Sequence, residues 1–205
     1  MLLKIDPKRP QAERIEQVKN CLLGGGVIIY PTDSVYGLAC DLLQFEAIER
    51  ISRIKKINPV KAQFSFICTD LKQLSEYTKS ISTPVYRLLK THLPGPYTFI
   101  LPASKKVPRI FKSKKNTVGV RIPNHHIVDG IVRSLNHPIV STSLPGENVE
   151  EYTDPARMHQ NFLHQVDIVV DGGKGGIIPS TVIDCTGFEP VLVRPGLGEW
   201  PDQGY

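Results

Sequence analysis

Small hydroxyl side chains cluster directly after an apolar run near the amino terminus. Residues 27–30, Val-Ile-Ile-Tyr, predict a buried strand, and the stretch PTDSVYGLACD (31–41) follows it immediately. Thr32 and Ser34 supply hydroxyl groups there, and Gly37 is expected to adopt a backbone conformation that other residues avoid. Hydroxyl and backbone N–H groups at a strand end can hold carboxylate or phosphate oxygens. The alternative is that these side chains only cap turns.

The same residue types recur at two later apolar segments. Ser141 and Ser143 close the segment PIVSTS (138–143), and Ser180 precedes TVIDCT (181–186). Ligands of open α/β sheets bind where strand ends meet loops. Three strand ends that carry hydroxyl groups therefore favour one shared site for an oxyanion, although capping remains the alternative at each of them.

Arg121 ends an apolar, strand-like segment, TVGVRIP (117–123). A charge in such a segment is costly to bury unless it is paired. We therefore expect Arg121 to face a cleft and contact an anion. The alternative is an internal salt bridge to an acid such as Asp184.

The elements that must position these residues alternate between helical and strand periodicity. Helical patterns cover 11–23, 45–54, 70–77, 84–92, 126–135 and 154–164. Strand patterns cover 27–30, 63–68, 97–103, 117–123, 138–143, 166–171, 181–186 and 190–194. This alternation predicts an α/β chain built on a mixed, twisted sheet. Neither a repeat nor a linker marks a boundary, so we expect residues 1–205 to form a single domain.

Composition restricts the partners and the compartment. The net charge of +5 and pI of about 9.0 suit an anionic partner such as a nucleotide or RNA. No apolar run is long enough for a membrane span, and the amino terminus turns charged too early for a signal peptide. The four cysteines are scattered and the six histidines lack metal-ligand spacing, so we expect reduced thiols, no metal site and a cytoplasmic location.

Five motifs in order, PTDSVYGL, PGPYTFIL, VGVRIP, STS and STVID, resemble the YrdC-like family, whose best-known members are threonylcarbamoyl-AMP synthases. The resemblance covers roughly residues 15–196. The segments QFSFICTDL and STSLPG point to the YciO-type branch. The resemblance implies a YrdC-like twisted mixed sheet flanked by helices, with a large concave basic cleft.

The resemblance also implies a reaction, in which L-threonine, bicarbonate and ATP give threonylcarbamoyl-AMP and pyrophosphate on the way to the t6A modification of tRNA. A carbamate oxygen attacks the α-phosphorus of ATP, so no protein nucleophile is required and no catalytic residue is predicted. The site must instead hold several anions together and neutralise the departing phosphates. Mg²⁺ is expected to arrive bound to the nucleotide.

By the same resemblance, particular residues take particular ligands. The amino-acid substrate is assigned to Thr32, Ser34, Tyr36, Arg121 and Ser180, with Arg121 on its carboxylate. The nucleotide (ATP or AMP) is assigned to Lys55, Lys56, Ser141, Ser143 and Arg194. The alternative for Arg194 is a surface charge without a ligand.

Two departures from the family pattern predict weak or altered activity. Where the family has Lys-x-Arg, either Lys55 is the lysine and Ile57 replaces the arginine, or Lys56 is the lysine and Asn58 replaces it. Where the family has Ser-x-Asn, residues 143–145 read Ser-Leu-Pro, and proline offers neither an amide side chain nor an N–H. Losing two phosphate ligands, each worth about 1.5–3 kcal/mol, is expected to slow the reaction by orders of magnitude. The family's histidine in the next strand is also absent from QFSFIC.

A basic segment supports a second hypothesis. Residues 104–115, SKKVPRIFKSKK, carry six basic side chains and no acidic one. They form either a solvated loop or a contact for RNA phosphates. The alternative function is thus a non-catalytic protein that binds double-stranded RNA, tRNA or the ribosome through its basic cleft.

Overall fold

The computed structural model of this chain describes residues 1–57, 64–111, 116–145 and 149–200. Within those ranges the helices are α1 (Ala12–Leu23), α2 (Phe45–Ile54), α3 (Leu71–Tyr77), α4 (Thr83–His92), α5 (His126–Leu135) and α6 (Pro155–Asn161). The strands are β1 (Leu2–Lys4), β2 (Val27–Tyr30), β3 (Gly37–Asp41), β4 (Ser65–Ile67), β5 (Tyr97–Pro102), β6 (Thr117–Arg121), β7 (Ile139–Ser143), β8 (Ile168–Asp171), β9 (Thr181–Asp184) and β10 (Val191–Arg194). Short 3-10 helices cover Arg109–Phe111 and Val149–Tyr152.

The strands of the described residues pair into one mixed sheet in the order β1-β8-β2-β3-β7-β4-β6-β5-β9-β10. Four neighbouring pairs are parallel, namely β1–β8, β2–β8, β4–β6 and β5–β9. The remaining five pairs are antiparallel. The predicted α/β fold on a mixed sheet is therefore confirmed. No helix in these parts of the chain is long and apolar enough to cross a membrane.

The helices cover the two faces of the sheet unequally. The apolar sides of α2, α3, α4 and α6 pack on one face, around Phe66, Phe99 and Val120. On the other face α1 and α5 pack together over β2, β3, β7 and β8. Among the described residues, β5, β6 and β9 contribute no side chain to this second cluster, and this open half of the sheet is the floor on which the site is built.

The periodic patterns located most elements within a few residues. The α1 helix buries Ile15, Val18 and Leu22 as its spacing predicts. Asp70 caps α3, since its carboxylate accepts a hydrogen bond from the backbone N–H of Gln73 at 2.8 Å. Phe45 differs from the expectation, because it belongs to the predicted apolar stripe of α2 yet is 54% exposed.

Strands β1 and β3 were not predicted. All five residues of β3 are buried, because β2 and β7 flank the strand and core residues lie on both faces. A strand buried on both faces shows no alternation of polar and apolar residues, so β3 has no strand pattern in the sequence. The residues before it, 31–36, have the composition of a loop. The opening motif is thus a turn followed by a central strand.

The described core predicts that replacing two different phenylalanines will have different effects on the free energy of unfolding. Phe66 is fully buried and makes edge-to-face contacts with Tyr77 and Phe111 at 5.4 Å between ring centroids. Replacing Phe66 with Ala is expected to lower the free energy of unfolding in urea by about 3–5 kcal/mol, since it leaves a cavity in the core. The matched control Phe188→Ala changes a fully exposed ring and should stay within about 0.5 kcal/mol. Equal losses for both variants would contradict the described core.

Candidate functional site

A cavity of about 680 Å³ lies on the open half of the sheet. The strand register aligns four residues in one row across the floor of this cavity. They are Ser141 of β7, Ser65 of β4, Gly119 of β6 and Ile100 of β5. Gly119 keeps the middle of this row low, because a Cβ there would lie 2.9 Å from Oγ of Ser65. The floor is therefore flat enough to admit a ligand.

Arg121 anchors one end of the cavity. Its Nη2 forms an ion pair with Asp33 and donates to Oγ of Ser34 at 2.8 Å and to Oγ1 of Thr32 at 3.3 Å. The other Asp33 oxygen accepts from the backbone N–H of Asn124 at 2.9 Å. Both alternatives for Arg121 are thus realised together, since it lines the cavity and also pairs with an acid.

The acid that pairs with Arg121 is not the one named from the sequence. Asp184 instead accepts from the N–H and hydroxyl of Thr186, at 2.9 and 2.6 Å. The Nε of Arg121 is buried without a hydrogen-bond partner, so the surrounding residues satisfy this guanidinium only in part.

The two hydroxyls of the opening motif differ in position. Thr32 lines the cavity, and its Oγ1 also closes a turn by donating to the carbonyl of Val35 at 2.7 Å and accepting from the N–H of Ser34 at 3.1 Å. The turn-capping interpretation of Thr32 is therefore correct, without removing it from the site. Ser34 is 3% exposed and lies behind the cavity surface, where it holds Arg121.

Ser180 and Arg194 lie beside Arg121. Oγ of Ser180 is 2.9 Å from Oγ1 of Thr98, and Nη2 of Arg194 donates to the Ser180 carbonyl at 2.8 Å. Partial burial lowers the pKa of Arg194, and the nearby positive charge of Arg121 lowers it further. Both guanidinium groups line the cavity, so they give it positive charge.

Lys55 marks a different part of the lining. Its Nζ donates to the carbonyl and Oγ of Ser143, at 2.6 and 3.1 Å, and burial lowers its pKa. Lys56 has an exposed side chain outside the cavity lining and a left-handed backbone with φ of 53°. Lys55 and Ile57 both line the cavity, whereas Asn58, which the other alignment puts in place of the family's arginine, lies outside the described residues. The nucleotide-binding role of both lysines stays a prediction.

Tyr30 and Ser141 meet in the middle of the cavity wall. The Tyr30 hydroxyl donates to Oγ of Ser141 at 2.7 Å, and burial raises the pKa of Tyr30 to about 12. Ser141 is the first of the three residues Ser-Thr-Ser that end β7, as expected, and it lies opposite Ala39 of β3. Its Oγ reaches the cavity because alternate residues of β7 face the open side of the sheet.

Gly37 is required for space rather than for an unusual backbone. The left-handed glycines of the described residues are Gly25 and Gly173, so the conformational role expected for Gly37 was wrong. A Cβ at Gly37 would lie 3.0 Å from the Tyr30 ring and 3.1 Å from Oγ of Ser141. The glycine therefore lets these two side chains meet.

Tyr36 attaches a loop to the edge of the cavity. Its hydroxyl donates to the Gly173 carbonyl at 2.7 Å and accepts from the Gly172 N–H at 3.2 Å. The ring also fills the space over Gly175, where a Cβ would lie 2.5 Å from it. The glycine-rich residues 172–176 thus belong to the connection between β8 and β9, and Tyr36 fixes them beside the cavity.

Sequence reasoning missed several lining or supporting residues. Asp33 lies between Thr32 and Ser34 in the opening motif, and it was not considered as the partner of Arg121. Tyr30 was taken only as the last residue of a buried strand. Thr98 and Ser65 occupy alternate positions of short strands, and only the register shows that they face the same side as Arg121.

Metal binding by side chains has no support in the described residues, because no three His, Cys, Asp or Glu side chains there form a suitable group. No carboxylate from those parts of the chain lines the cavity either. The donor set of hydroxyl, ammonium and guanidinium groups suits oxyanions.

The fold and site together define an α/β protein with a cavity on an open sheet face that hydroxyl, ammonium and guanidinium groups line. The sequence model of the Sua5/YciO/YrdC family, described as "Telomere recombination", matches residues 20–196, and the chain belongs to this family. A Haemophilus influenzae relative described as "Uncharacterized protein" is 42% identical over 197 residues, covering 95% of this chain and 94% of its own length. The protein YciO of Escherichia coli is 41% identical over 198 residues, covering 95% of each chain.

Solved structures agree with this assignment. The crystal structure of E. coli YciO superposes with a TM-score of 0.90 at 39% identity and covers 97% of both chains. The Sua5 protein of Pyrococcus abyssi, solved with L-threonine, gives a TM-score of 0.84 at 29% identity. That match covers 96% of this chain but only 57% of the Sua5 chain. The YrdC-like fold expected from the motifs is confirmed.

The Arg121–Asp33 ion pair predicts a difference from a surface pair of the same residue types. Asp33→Asn is expected to lower the free energy of unfolding by about 1–3 kcal/mol, because a buried guanidinium loses its counter-charge. The control Asp129→Asn removes an exposed pair, in which the Arg133 side chain is 58% exposed and the Asp129 side chain 43%. It should lower the free energy of unfolding by at most about 1 kcal/mol. Urea denaturation at neutral pH measures both changes. A smaller loss for Asp33→Asn than for Asp129→Asn would contradict the described pair.

Proposed function

We propose that this protein binds an adenine nucleotide and L-threonine in the cavity and joins them through a carbamate, as a slow threonylcarbamoyl-AMP synthase. One observation supports this most strongly. Arg121, Ser180 and Arg194 meet at one end of a cavity that Lys55 also lines. A site with cationic groups in two places suits a reaction in which separate anions must be held together.

The relatives support the same proposal. A P. abyssi protein named threonylcarbamoyl-AMP synthase is 33% identical over 193 residues, which cover 90% of this chain and 56% of that protein. The chain therefore matches little more than half of that relative's length. The P. abyssi Sua5 structure with L-threonine supports an amino-acid ligand for the equivalent cavity.

In the proposed reaction, the threonine carboxylate binds at Arg121 and Ser180. The threonine amine forms a bond to the carbon of bicarbonate, a C–O bond breaks and water leaves, which gives a carbamate. A carbamate oxygen then forms a bond to the α-phosphorus of ATP. The bond between the α-phosphorus and the bridging oxygen breaks, and pyrophosphate leaves with both bonding electrons. Lys55 and Arg194 offset negative charge on the nucleotide. Mg²⁺, when bound to the nucleotide, would supply further charge neutralisation.

The residues of this chain mainly bind and orient the reactants. Arg121 is already held by Asp33, Thr32 and Ser34, so it loses little freedom when it receives a carboxylate. Ser180 is fixed against Thr98 in the same way. Fixed donors that require no rearrangement are the main source of catalysis when no protein nucleophile takes part.

The RNA-binding alternative concerns the basic segment 104–115. Residues 112–115, which carry three of the six basic side chains in the segment 104–115, lie outside the described residues. Of the others, Lys106 pairs with Glu76 at 2.8 Å. Binding of double-stranded RNA or tRNA stays a prediction.

Product formation tests the proposal directly. Incubation with ATP, L-threonine and bicarbonate should release pyrophosphate and form threonylcarbamoyl-AMP, and omission of threonine or bicarbonate should abolish both. Arg194→Ala is expected to lower the rate at least tenfold, since it removes a cation from the cavity. Arg157→Ala, which changes a side chain that is 76% exposed, is the matched control and should leave the rate within twofold. Absence of both products at high protein concentration would contradict the proposal.

A further inference from the structure

We infer that Tyr30 is a positioning residue, which holds the Ser141 hydroxyl so that this hydroxyl donates its own hydrogen to a phosphate oxygen in the cavity. The inference rests on the proposed function and adds to the same site a residue that acts only through another residue. It follows from the path of the Tyr30 ring across the sheet and from the hydrogen-bonding capacity of the two hydroxyl groups.

The Tyr30 side chain crosses a whole strand to reach Ser141. The two residues belong to β2 and β7, and β3 lies between these strands. Tyr30 is in register with Gly37 of β3, and a Cβ at Gly37 would lie only 3.0 Å from the Tyr30 ring. The ring therefore passes over a position of β3 that has no side chain, and its hydroxyl comes within 2.7 Å of Oγ of Ser141.

Burial keeps the two side chains in this contact. Tyr30 is fully buried and Ser141 is 6% exposed, although both residues line the cavity. A buried hydroxyl without a hydrogen bond is costly. Within the described parts of the chain, Ser141 is the partner of the Tyr30 hydroxyl and no second group bonds to it. The phenol therefore stays bonded to Ser141 rather than turning toward another group.

The phenol is the donor in this hydrogen bond. Burial raises the pKa of Tyr30 to about 12, so its hydroxyl keeps the proton at neutral pH. A serine hydroxyl has one hydrogen to donate and two lone pairs that accept. Because Oγ of Ser141 accepts from Tyr30, its own hydrogen remains available, and the described residues provide no acceptor for it. A ligand in the cavity that Ser141 lines can accept that hydrogen.

The neighbourhood of Ser141 favours an anionic acceptor. Ser141 and Ser143 are alternate residues of β7, so they face the same side of the sheet, about 7 Å apart along the strand. Oγ of Ser143 accepts from the Lys55 ammonium at 3.1 Å. A directed hydroxyl donor beside an ammonium group suits a phosphate oxygen, because a hydrogen bond to an ionised acceptor is stronger than one to a neutral atom.

The alternative is a purely structural bond that ties β2 to β7 across β3. Loss of the Tyr30 hydroxyl would then lower the stability of the fold without a specific effect on a bound phosphate. A comparison of AMP with adenosine separates the two roles, because adenosine lacks only the phosphate group.

Calorimetric titration of four proteins with AMP and with adenosine tests the inference. The proteins are the unaltered chain, Tyr30→Phe, Ser141→Ala and the double variant. Ser141→Ala should weaken AMP binding about tenfold or more, and Tyr30→Phe about threefold or more, because the hydrogen bond to the phosphate is lost or loosened. In the Ser141→Ala background, Tyr30→Phe should change AMP affinity less than about 1.5-fold. Adenosine affinity should change less than about twofold throughout.

Tyr97→Phe is the matched control. It removes a phenol that donates to the Glu199 carbonyl at 2.8 Å, and Tyr97 is not a lining residue of the cavity. Its AMP affinity should stay within about twofold of the unaltered protein. If Tyr30→Phe does not fold, Gly37→Ala takes its place in the cycle, because the added Cβ would crowd the same ring and Oγ of Ser141.

The possible failures are distinguishable. Equal weakening of AMP binding by Tyr30→Phe with and without the Ser141 hydroxyl would overturn the inference, since Tyr30 would then act independently. Unchanged AMP affinity in folded Tyr30→Phe, or an equal loss for adenosine, would overturn it in favour of the structural bond. All three results leave the proposed function standing, because the unaltered protein still binds AMP. Absence of AMP binding by the unaltered protein would overturn both.

Discussion

The site depends on one buried ion pair, between Arg121 at the end of β6 and Asp33 in the turn between β2 and β3. These strands are not neighbours in the sheet, since β3, β7 and β4 lie in sequence between β2 and β6. The ion pair, with the hydrogen bonds from Arg121 to Thr32 and Ser34, thus holds the β2–β3 turn against the end of β6 at the cavity. Because the acid comes from the turn, the guanidinium is held in place by the protein. Its Nε is buried and makes no hydrogen bond.

The location of the cavity follows from the uneven distribution of the helices. Two helices are too few to cover one face of so wide a sheet, and α1 and α5 pack side by side over strands near its β1 edge. Short or polar residues of the open half, such as Ser65, Thr98 and Gly119, leave the space that the cavity occupies. The other face has four helices and a continuous apolar core, so the sheet is stable although half of one face is exposed to ligands.

The sequence predicted the class of fold and most elements, because apolar spacing in α1, α5 and the central strands reflects burial directly. It also predicted Arg121, Thr32 and Ser180 as members of one site from their positions near strand ends. It could not supply the partner of Arg121, because Asp33 and Arg121 are 88 residues apart and no local pattern connects them. It missed Thr98 and Ser65, since only strand register decides which side chains share a face. Likewise, the sequence did not show that Lys55 lines the cavity whereas Lys56 does not, because this depends on the backbone conformation after α2.

The glycines of the floor carry a further consequence for how this family can diversify. Gly119 and Gly37 fix the depth of the cavity through atoms that they lack, whereas Arg121, Arg194 and Lys55 fix its charge. The two properties are therefore encoded by different residues and can mutate independently. A single added methyl group would make the hollow shallower with its ionic groups intact, and a single altered cation would change the accepted ligand with the volume intact. Evolution of new substrates on this sheet can thus proceed by separate, small steps in shape and in charge.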